Sequence, residues 1–133
     1  MQHSRTFSLA IDRPWTELYA FLADPRTINR WTQGVIAAPL VRLSDYEWQA
    51  IQDGQPVSIL FTPPNSFGVL DVVLRWENQP PRHFMVRLFP NEEGSELCFT
   101  LFQRPGETDA QFASECEWLR TDLGVLTTYV ERA

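Results

Sequence analysis

Two patterns of apolar residues divide the start of the chain into a strand and two short helices. Residues 6–11, TFSLAI, alternate apolar with small or polar side chains, which is typical of a half-buried strand. Apolar residues then recur at helical spacing over 15–22, after Pro14, a residue suited to the first position of a helix. The pair DP at 24–25 predicts the start of a second short helix that ends near Trp31, because Asp can cap it and Pro can open it.

The middle of the chain is a series of short apolar segments separated by turn-forming residues. The breaks are DGQP, PPNS, NQPPR and PNEEGS, which are rich in Gly, Pro and Asn. Six strands are predicted, at residues 35–43, 45–51, 56–62, 68–76, 82–89 and 95–102. The first is interrupted by Pro39, which weakens it as a strand. Because the connections are short, an antiparallel meander is favoured.

The last 25 residues predict a long amphipathic helix. Thr108 and Gln111, three positions apart, form the sequence pattern of a capping box. One apolar stripe follows at alternating steps of four and three: Phe112, Cys116, Leu119, Leu123, Leu126 and Val130. A helix of about six turns, about 33 Å long, needs a wide apolar surface to cover its stripe. The predicted sheet is the candidate for that surface.

Strand parity assigns the charged residues to a face of the sheet. Leu70, Val72, Leu74 and Trp76 form an apolar face, whereas Asp71, Val73 and Arg75 form the opposite one. If Phe89 pairs with Glu96, the next two strands divide in the same way into an apolar and a polar face.

Asp71 is therefore expected on the outer face, with Arg75 or Arg87 as a neighbour. A carboxylate inside a pocket and paired to Arg87 is the alternative, because one bulge would reverse the parity.

Composition narrows the functional classes. A chain of 133 residues with 44% hydrophobic and 21% charged residues is expected to form one globular domain. Its net charge of -6 argues against nucleic-acid binding, which needs a basic surface. The chain contains no Lys, so Schiff-base chemistry and a P-loop lysine are excluded.

The cysteines and histidines do not have the spacing of a metal site. Cys98 and Cys116 form no CxxC pair, and His3 and His83 lie far apart, so neither a metal nor another cofactor is expected. The parity also places the two cysteines on different faces, which argues against a disulfide between them. No signal peptide or membrane span is visible, so a cytoplasmic location without membrane insertion is expected.

Several segments resemble a known superfamily. FSLAIDRPWTELYAFLADPRTINRW, FGVLD, VRLFPNEEGSELCFTLFQRPG and FASECEWLRTDLGVLTTYVE are similar to the START/Bet v 1-like (SRPBCC) superfamily, in an uncharacterised bacterial branch often described as polyketide cyclase/dehydrase-like. The resemblance covers nearly the whole chain. It implies an α+β helix-grip fold, in which a curved antiparallel sheet of six or seven strands wraps around the C-terminal helix.

The resemblance also implies a hydrophobic cavity between sheet and helix. The positions turned inward by parity would line it: Trp48, Phe61, Leu70, Val72, Leu74, Trp76, Val86, Leu88, Phe99, Leu101, Phe112, Leu119, Leu123 and Leu126. The alternative is that they simply fill a core. The ligand-binding candidates are Trp31, Trp48, Phe61, Leu70, Trp76, Phe99, Trp118, Leu119 and Leu123.

The inward set is expected to contain no carboxylate, His or Arg. Its polar groups are the indole N–H groups and the hydroxyls of Tyr19 and Tyr46. The first hypothesis is therefore a binder or carrier of a small apolar or aromatic molecule. The second is a cyclase/dehydratase-like enzyme with an acid or base from Asp71, Arg87 or Tyr46. A protein-interaction role is the third, and the sequence leaves a homodimer open.

Overall fold

The computed structural model describes residues 1–32 and 39–132. These residues form seven strands, two α-helices and one short 3-10 helix. Their bounds are β1 Ser4–Ile11, α1 Trp15–Ala23, the 3-10 helix Pro25–Arg30, β2 Val41–Arg42, β3 Glu47–Gln52, β4 Gln55–Phe61, β5 Val72–Arg75, β6 Arg82–Asn91, β7 Gly94–Phe102 and α2 Asp109–Arg132. Residues 35–38 of the predicted strand 35–43 lie outside the described residues, and β2 falls in the described part of that prediction.

The strands form one curved antiparallel sheet in the order β1-β7-β6-β5-β4-β3-β2. Apart from the return of β1 beside β7, this is the meander predicted from the short connections. Phe89 pairs with Glu96 as predicted. The pairing continues to Asn91 and Gly94, so the hairpin turn has two residues rather than the six of PNEEGS.

Helix α2 confirms the prediction for the C-terminus. The N–H of Thr108 donates to the side chain of Gln111 at 2.9 Å, and the N–H of Gln111 donates to the Thr108 hydroxyl at 3.1 Å, which completes the capping box. All six residues of the predicted apolar stripe are buried. The 24 residues span about 36 Å, enough to cross the sheet. The arrangement is a helix-grip α+β fold.

Helix α1 and the 3-10 helix contribute residues that border the space under the sheet. Asp24 caps the 3-10 helix by accepting the Arg26 N–H at 3.0 Å. Hydrogen bonds from the Arg26 side chain hold the pKa of Asp24 below its usual value. The Trp15 indole donates to the Leu88 carbonyl at 2.9 Å and so anchors α1 on β6. The predicted second short helix is therefore present, as a 3-10 helix.

Strand β5 is much shorter than the predicted strand 68–76. Asn65 organises the chain before it, since its side chain accepts the N–H groups of Phe67 and Val69 and donates to the carbonyls of Pro63 and Val69. Only the isolated bridge between Val69 and Arg87 continues the pairing with β6. The segment before β5 is therefore paired with β6 through two backbone hydrogen bonds, while the Asn65 side chain binds the backbone groups of Val69.

Candidate functional site

A cavity lies between the inner face of the sheet, helix α2 and the 3-10 helix. Its volume is about 50 Å³, well below the roughly 300–1,000 Å³ of typical ligand pockets. The walls are mainly apolar: Leu22, Thr27, Ile28, Trp31, Thr32, Phe61, Leu70, Val72, Phe84, Val86, Phe99, Leu119 and Asp122. We call this space the sheet–helix cavity. Most of the predicted inward residues therefore pack as core, and a small void remains among them.

Three polar residues interrupt the apolar walls. Asp122 lies on α2 with 0% exposure, Thr27 lies within the 3-10 helix, and Thr32 follows that helix. A carboxylate taken out of water is costly unless hydrogen bonds compensate for its lost hydration. This one borders the cavity, so it is placed to meet any molecule that enters. It is the functional candidate that the sequence interpretation missed.

The structure brings together five of the nine predicted ligand-binding residues. Trp31, Phe61, Leu70, Phe99 and Leu119 line the sheet–helix cavity, and the Trp31 ring contacts Phe99 edge-on with centroids 6.3 Å apart.

The other four are elsewhere. Leu123 is buried in the core, and Trp48 lies on β3 opposite Ile59, outside the cavity walls. Trp76 and Trp118 border a second depression, and Trp118 is 50% exposed. Ligand contact by any of the nine stays a prediction.

The second depression is a polar cleft beside the two tryptophans. It has a volume of about 210 Å³, and its walls include Trp76, Trp118, Arg82 and Glu115. We call it the tryptophan cleft. Burial raises the pKa of Glu115, and Glu107 adds to the rise, while Arg82 and Arg104 oppose it. The cleft combines ring surfaces with several acidic and basic groups, whereas the walls of the sheet–helix cavity are mainly apolar.

Two findings correct the expectation that the inward set contains no carboxylate or Arg. Asp122 is one. The other is Arg82, which is 2% exposed and forms a salt bridge with Glu107, itself 5% exposed. Arg82 also donates to the Phe102 carbonyl at 2.7 Å. Because a buried charge is stable only when paired, Arg82 and Glu107 are best explained as a structural pair.

Asp71 lies outside the sheet–helix cavity. Its carboxylate forms an ion pair with Arg87 and accepts the backbone N–H of Val86 at 2.7 Å. The carboxylate thus replaces a carbonyl as acceptor in the β5–β6 ladder. Leu70 and Val72 on either side of it line the cavity, so the predicted parity holds here. Asp71 and Arg87 are the cross-strand pair expected on the outer face.

The remaining chemical candidates are also placed away from the cavity. The Tyr19 hydroxyl accepts the Asn65 N–H at 2.8 Å, and Tyr46 is exposed. Both cysteines are free, and burial raises the pKa of the Cys116 thiol, which disfavours the nucleophilic thiolate. Within residues 1–32 and 39–132, no group of three or more His, Cys, Asp or Glu is positioned to hold a metal. No helix in these two ranges has the length and apolar character needed to cross a membrane.

Comparison with solved structures supports the class of fold. The START superfamily protein from Mycobacterium smegmatis has a TM-score of 0.74 at 10% identity, over 98% of both chains. The Aha1 dimer from Colwellia psychrerythraea has a TM-score of 0.72 at 13% identity, over 97% of this chain and 96% of that one. These likenesses, at low identity, show a shared fold.

A third similar structure is DynU16, from the dynemicin biosynthetic locus. The TM-score is 0.72 at 17% identity over 96% of this chain, which spans 47% of the length of DynU16. No protein-family model and no curated protein sequence matches the chain. The chain thus has the helix-grip fold of START and Bet v 1-like proteins, as the sequence resemblance predicted.

Proposed function

We propose that the chain binds a small, mainly apolar molecule in the sheet–helix cavity. The supporting observation is that a void lined by apolar side chains reaches the buried carboxylate of Asp122. Binding sites for small molecules commonly combine such walls with a few polar groups that orient the ligand. Neighbours that share this fold include a START superfamily protein and DynU16, a protein of the dynemicin biosynthetic locus.

The volume of the cavity limits the ligand. A molecule that buries roughly 200 Å² of apolar surface gains about 5 kcal/mol, before the cost of ordering it. Dissociation constants near the millimolar range are therefore expected for small probes. A larger natural ligand requires outward movement of side chains at the cavity walls, since about 50 Å³ is available.

Xenon binding tests the proposal because xenon enters small apolar cavities without needing a polar contact. We expect saturable binding, detected by NMR shifts of the Val and Leu methyl groups that line the cavity. Val72→Phe should abolish it, because Val72 lines the void and a larger ring would fill it. Val73→Phe is the matched control, since Val73 is the next residue on β5 and is not part of the cavity wall.

The contradictory results are equally clear. Absence of xenon binding to the unmodified protein would contradict the proposal. Equal xenon binding by Val72→Phe and Val73→Phe would also contradict it, because the xenon would then lie outside this cavity. The natural ligand is then sought by native mass spectrometry of protein purified from cells. A co-purifying apolar molecule that is lost in Val72→Phe would identify it.

A cyclase/dehydratase-like enzyme is the second candidate, and Asp122 is the observation that favours it. Asp71, Arg87 and Tyr46, the acid and base candidates from the sequence, are not among the cavity-lining residues. Asp122 is, and a carboxyl group next to a bound substrate can transfer a proton. Conversion of the co-purifying molecule by the unmodified protein but not by Asp122→Asn would support catalysis.

The remaining expectations concern location and assembly. The cytoplasmic location stays a prediction. Dimerisation is likewise a proposal, supported by the solved Aha1 dimer of similar fold. Sedimentation of the purified chain over a range of concentrations would distinguish a monomer from a dimer.

A further inference from the structure

The tryptophan cleft has the size and the mixed lining of a second binding site. Its volume of about 210 Å³ exceeds the roughly 150 Å³ of an engineered cavity that holds benzene, so it has room for one six-membered ring with substituents. We propose that the tryptophan cleft binds the ring of a neutral carbohydrate, stacked on Trp118 and hydrogen-bonded to Glu115 and the polar side chains near it. This proposal goes beyond binding in the sheet–helix cavity and does not depend on it.

Two indole rings form the apolar part of the cleft. Trp76 and Trp118 both border it, and within residues 1–32 and 39–132 their rings make no contact with each other. Trp118 is 50% exposed, although its large apolar ring would gain from burial. A sugar ring presents C–H groups with partial positive charge, which suit the electron-rich face of an indole. A sugar stacked on Trp118 would therefore cover ring surface that the folded chain leaves in water.

Polar side chains supply the hydrogen-bonding part of the cleft. Four of them border it: Asp53, Gln55, Gln79 and Glu115. Within the described part of the chain, none of these four side chains forms a hydrogen bond or an ion pair. An amide donates and accepts, and a carboxyl group accepts in either protonation state. Because a sugar hydroxyl both donates and accepts, it can pair with each of these groups whatever the protonation of Glu115.

The charges around the cleft favour a neutral ligand. The Arg104 guanidinium lies 5.1 Å from the centroid of the Trp76 ring, so a cationic ligand would meet a positive charge at this ring. An anionic ligand would meet the acidic side chain of Asp53, and Arg82 on the wall is already paired with Glu107. A neutral molecule with several hydroxyls avoids both penalties and can still use the polar groups.

NMR titration of the ¹⁵N-labelled chain tests the proposal. The probes are the methyl β-glycosides of glucose, galactose, mannose, xylose and N-acetylglucosamine, and the indole N–H resonances report binding. Cyclohexanol is the matched probe, since it has a six-membered ring with a single hydroxyl. We expect at least one glycoside to shift the Trp118 resonance saturably and to bind at least about 10-fold more tightly than cyclohexanol.

Two pairs of variants locate the site, with the Trp76 resonance as the reporter. Trp118→Ala should weaken glycoside binding about 10-fold because it removes the stacking surface. Tyr129→Ala is its control, since Tyr129 is an exposed aromatic residue of α2 outside the cleft. Glu115→Ala should weaken binding by a similar factor of about 10. Its control is Glu117→Ala, at an exposed position of the same helix.

Three results would overturn the proposal. The first is that no glycoside binds, or that none binds more tightly than cyclohexanol. The second is that Trp118→Ala and Glu115→Ala both leave the affinity unchanged, because the sugar would then lie elsewhere. The third is that tetramethylammonium binds more tightly than every glycoside, which would indicate a cation site. None of these results bears on xenon binding in the sheet–helix cavity, so the two proposals fail separately.

Discussion

Glu115 is a residue whose ionisation is coupled to folding. Its side chain borders the tryptophan cleft, and burial raises its pKa above the ordinary value of 4.5. A raised pKa in the folded state means that the folded protein holds the proton more tightly than the unfolded chain. The contribution of Glu115 to stability is thus fully present below about pH 4.5 and is lost as the pH rises through the folded-state pKa.

Glu115→Gln should consequently raise the free energy of unfolding at pH 7 but not at pH 4, because the amide has no charge to bury. Urea denaturation between pH 4 and 7.5 measures the difference. Glu117→Gln is the control, since Glu117 is an exposed neighbour on the same helix and its change removes the same charge. Equal effects of the two substitutions at every pH would contradict the role of burial.

Asp122 and Arg82 show what sequence reasoning missed at the scale of residues. Asp122 lies three positions after Leu119 and four before Leu126, so helical spacing places it within the apolar stripe. Arg82 has the parity of Phe84 on β6, which is the inward parity. Both signals were present in the sequence. What the sequence does not contain is the buried position of Glu107, which makes an inward Arg82 stable.

At the scale of elements, the loop between β4 and β5 depends on Gly68. Its φ of +70° lies in the left-handed region, and a Cβ atom there would overlap the carbonyl oxygen of Leu88. We expect Gly68→Ala to lower the free energy of unfolding by at least about 3 kcal/mol, because backbone strain and steric overlap add. Urea denaturation measures the loss.

Gly106 is the matched control for this prediction. Its φ is +82°, but no atom lies within 4 Å of the position a Cβ would take. Gly106→Ala should lower the free energy of unfolding by about 1 kcal/mol, from backbone strain alone. A cost for Gly68→Ala no larger than that for Gly106→Ala would mean that the approach to Leu88 does not matter.

The elements that were predicted well are those with strong local signals. The stripe and the capping box at Thr108 located α2, and uninterrupted alternation located β6 and β7 with the correct register. Strand β5 was overestimated because Gly68–Leu70 alternates like a strand, although the Asn65 side chain takes hydrogen bonds that a ladder would use. Alternation indicates which face a residue occupies, but it does not indicate how far the backbone pairing of a strand extends.

At the scale of the molecule, the cavity is the space between the sheet and α2 that the inward side chains do not fill. The sequence predicted which residues turn inward, and five of the nine ligand candidates do surround the void. It did not predict the small size of that void, since a cavity of about 50 Å³ depends on how closely the sheet and α2 approach. Nor did it separate the tryptophan cleft from the sheet–helix cavity, because that separation arises only in three dimensions.

The most direct measurement is ¹⁹F NMR of the protein labelled with 5-fluorotryptophan, during titration with xenon. The five resonances are assigned with single Trp→Phe variants. Trp31 lines the sheet–helix cavity and Trp118 borders the tryptophan cleft, so each reports on one site. We expect a saturable shift of the Trp31 resonance, with the Trp118 resonance unchanged. A shift of Trp118 without Trp31, or no shift of either, would contradict binding in the sheet–helix cavity.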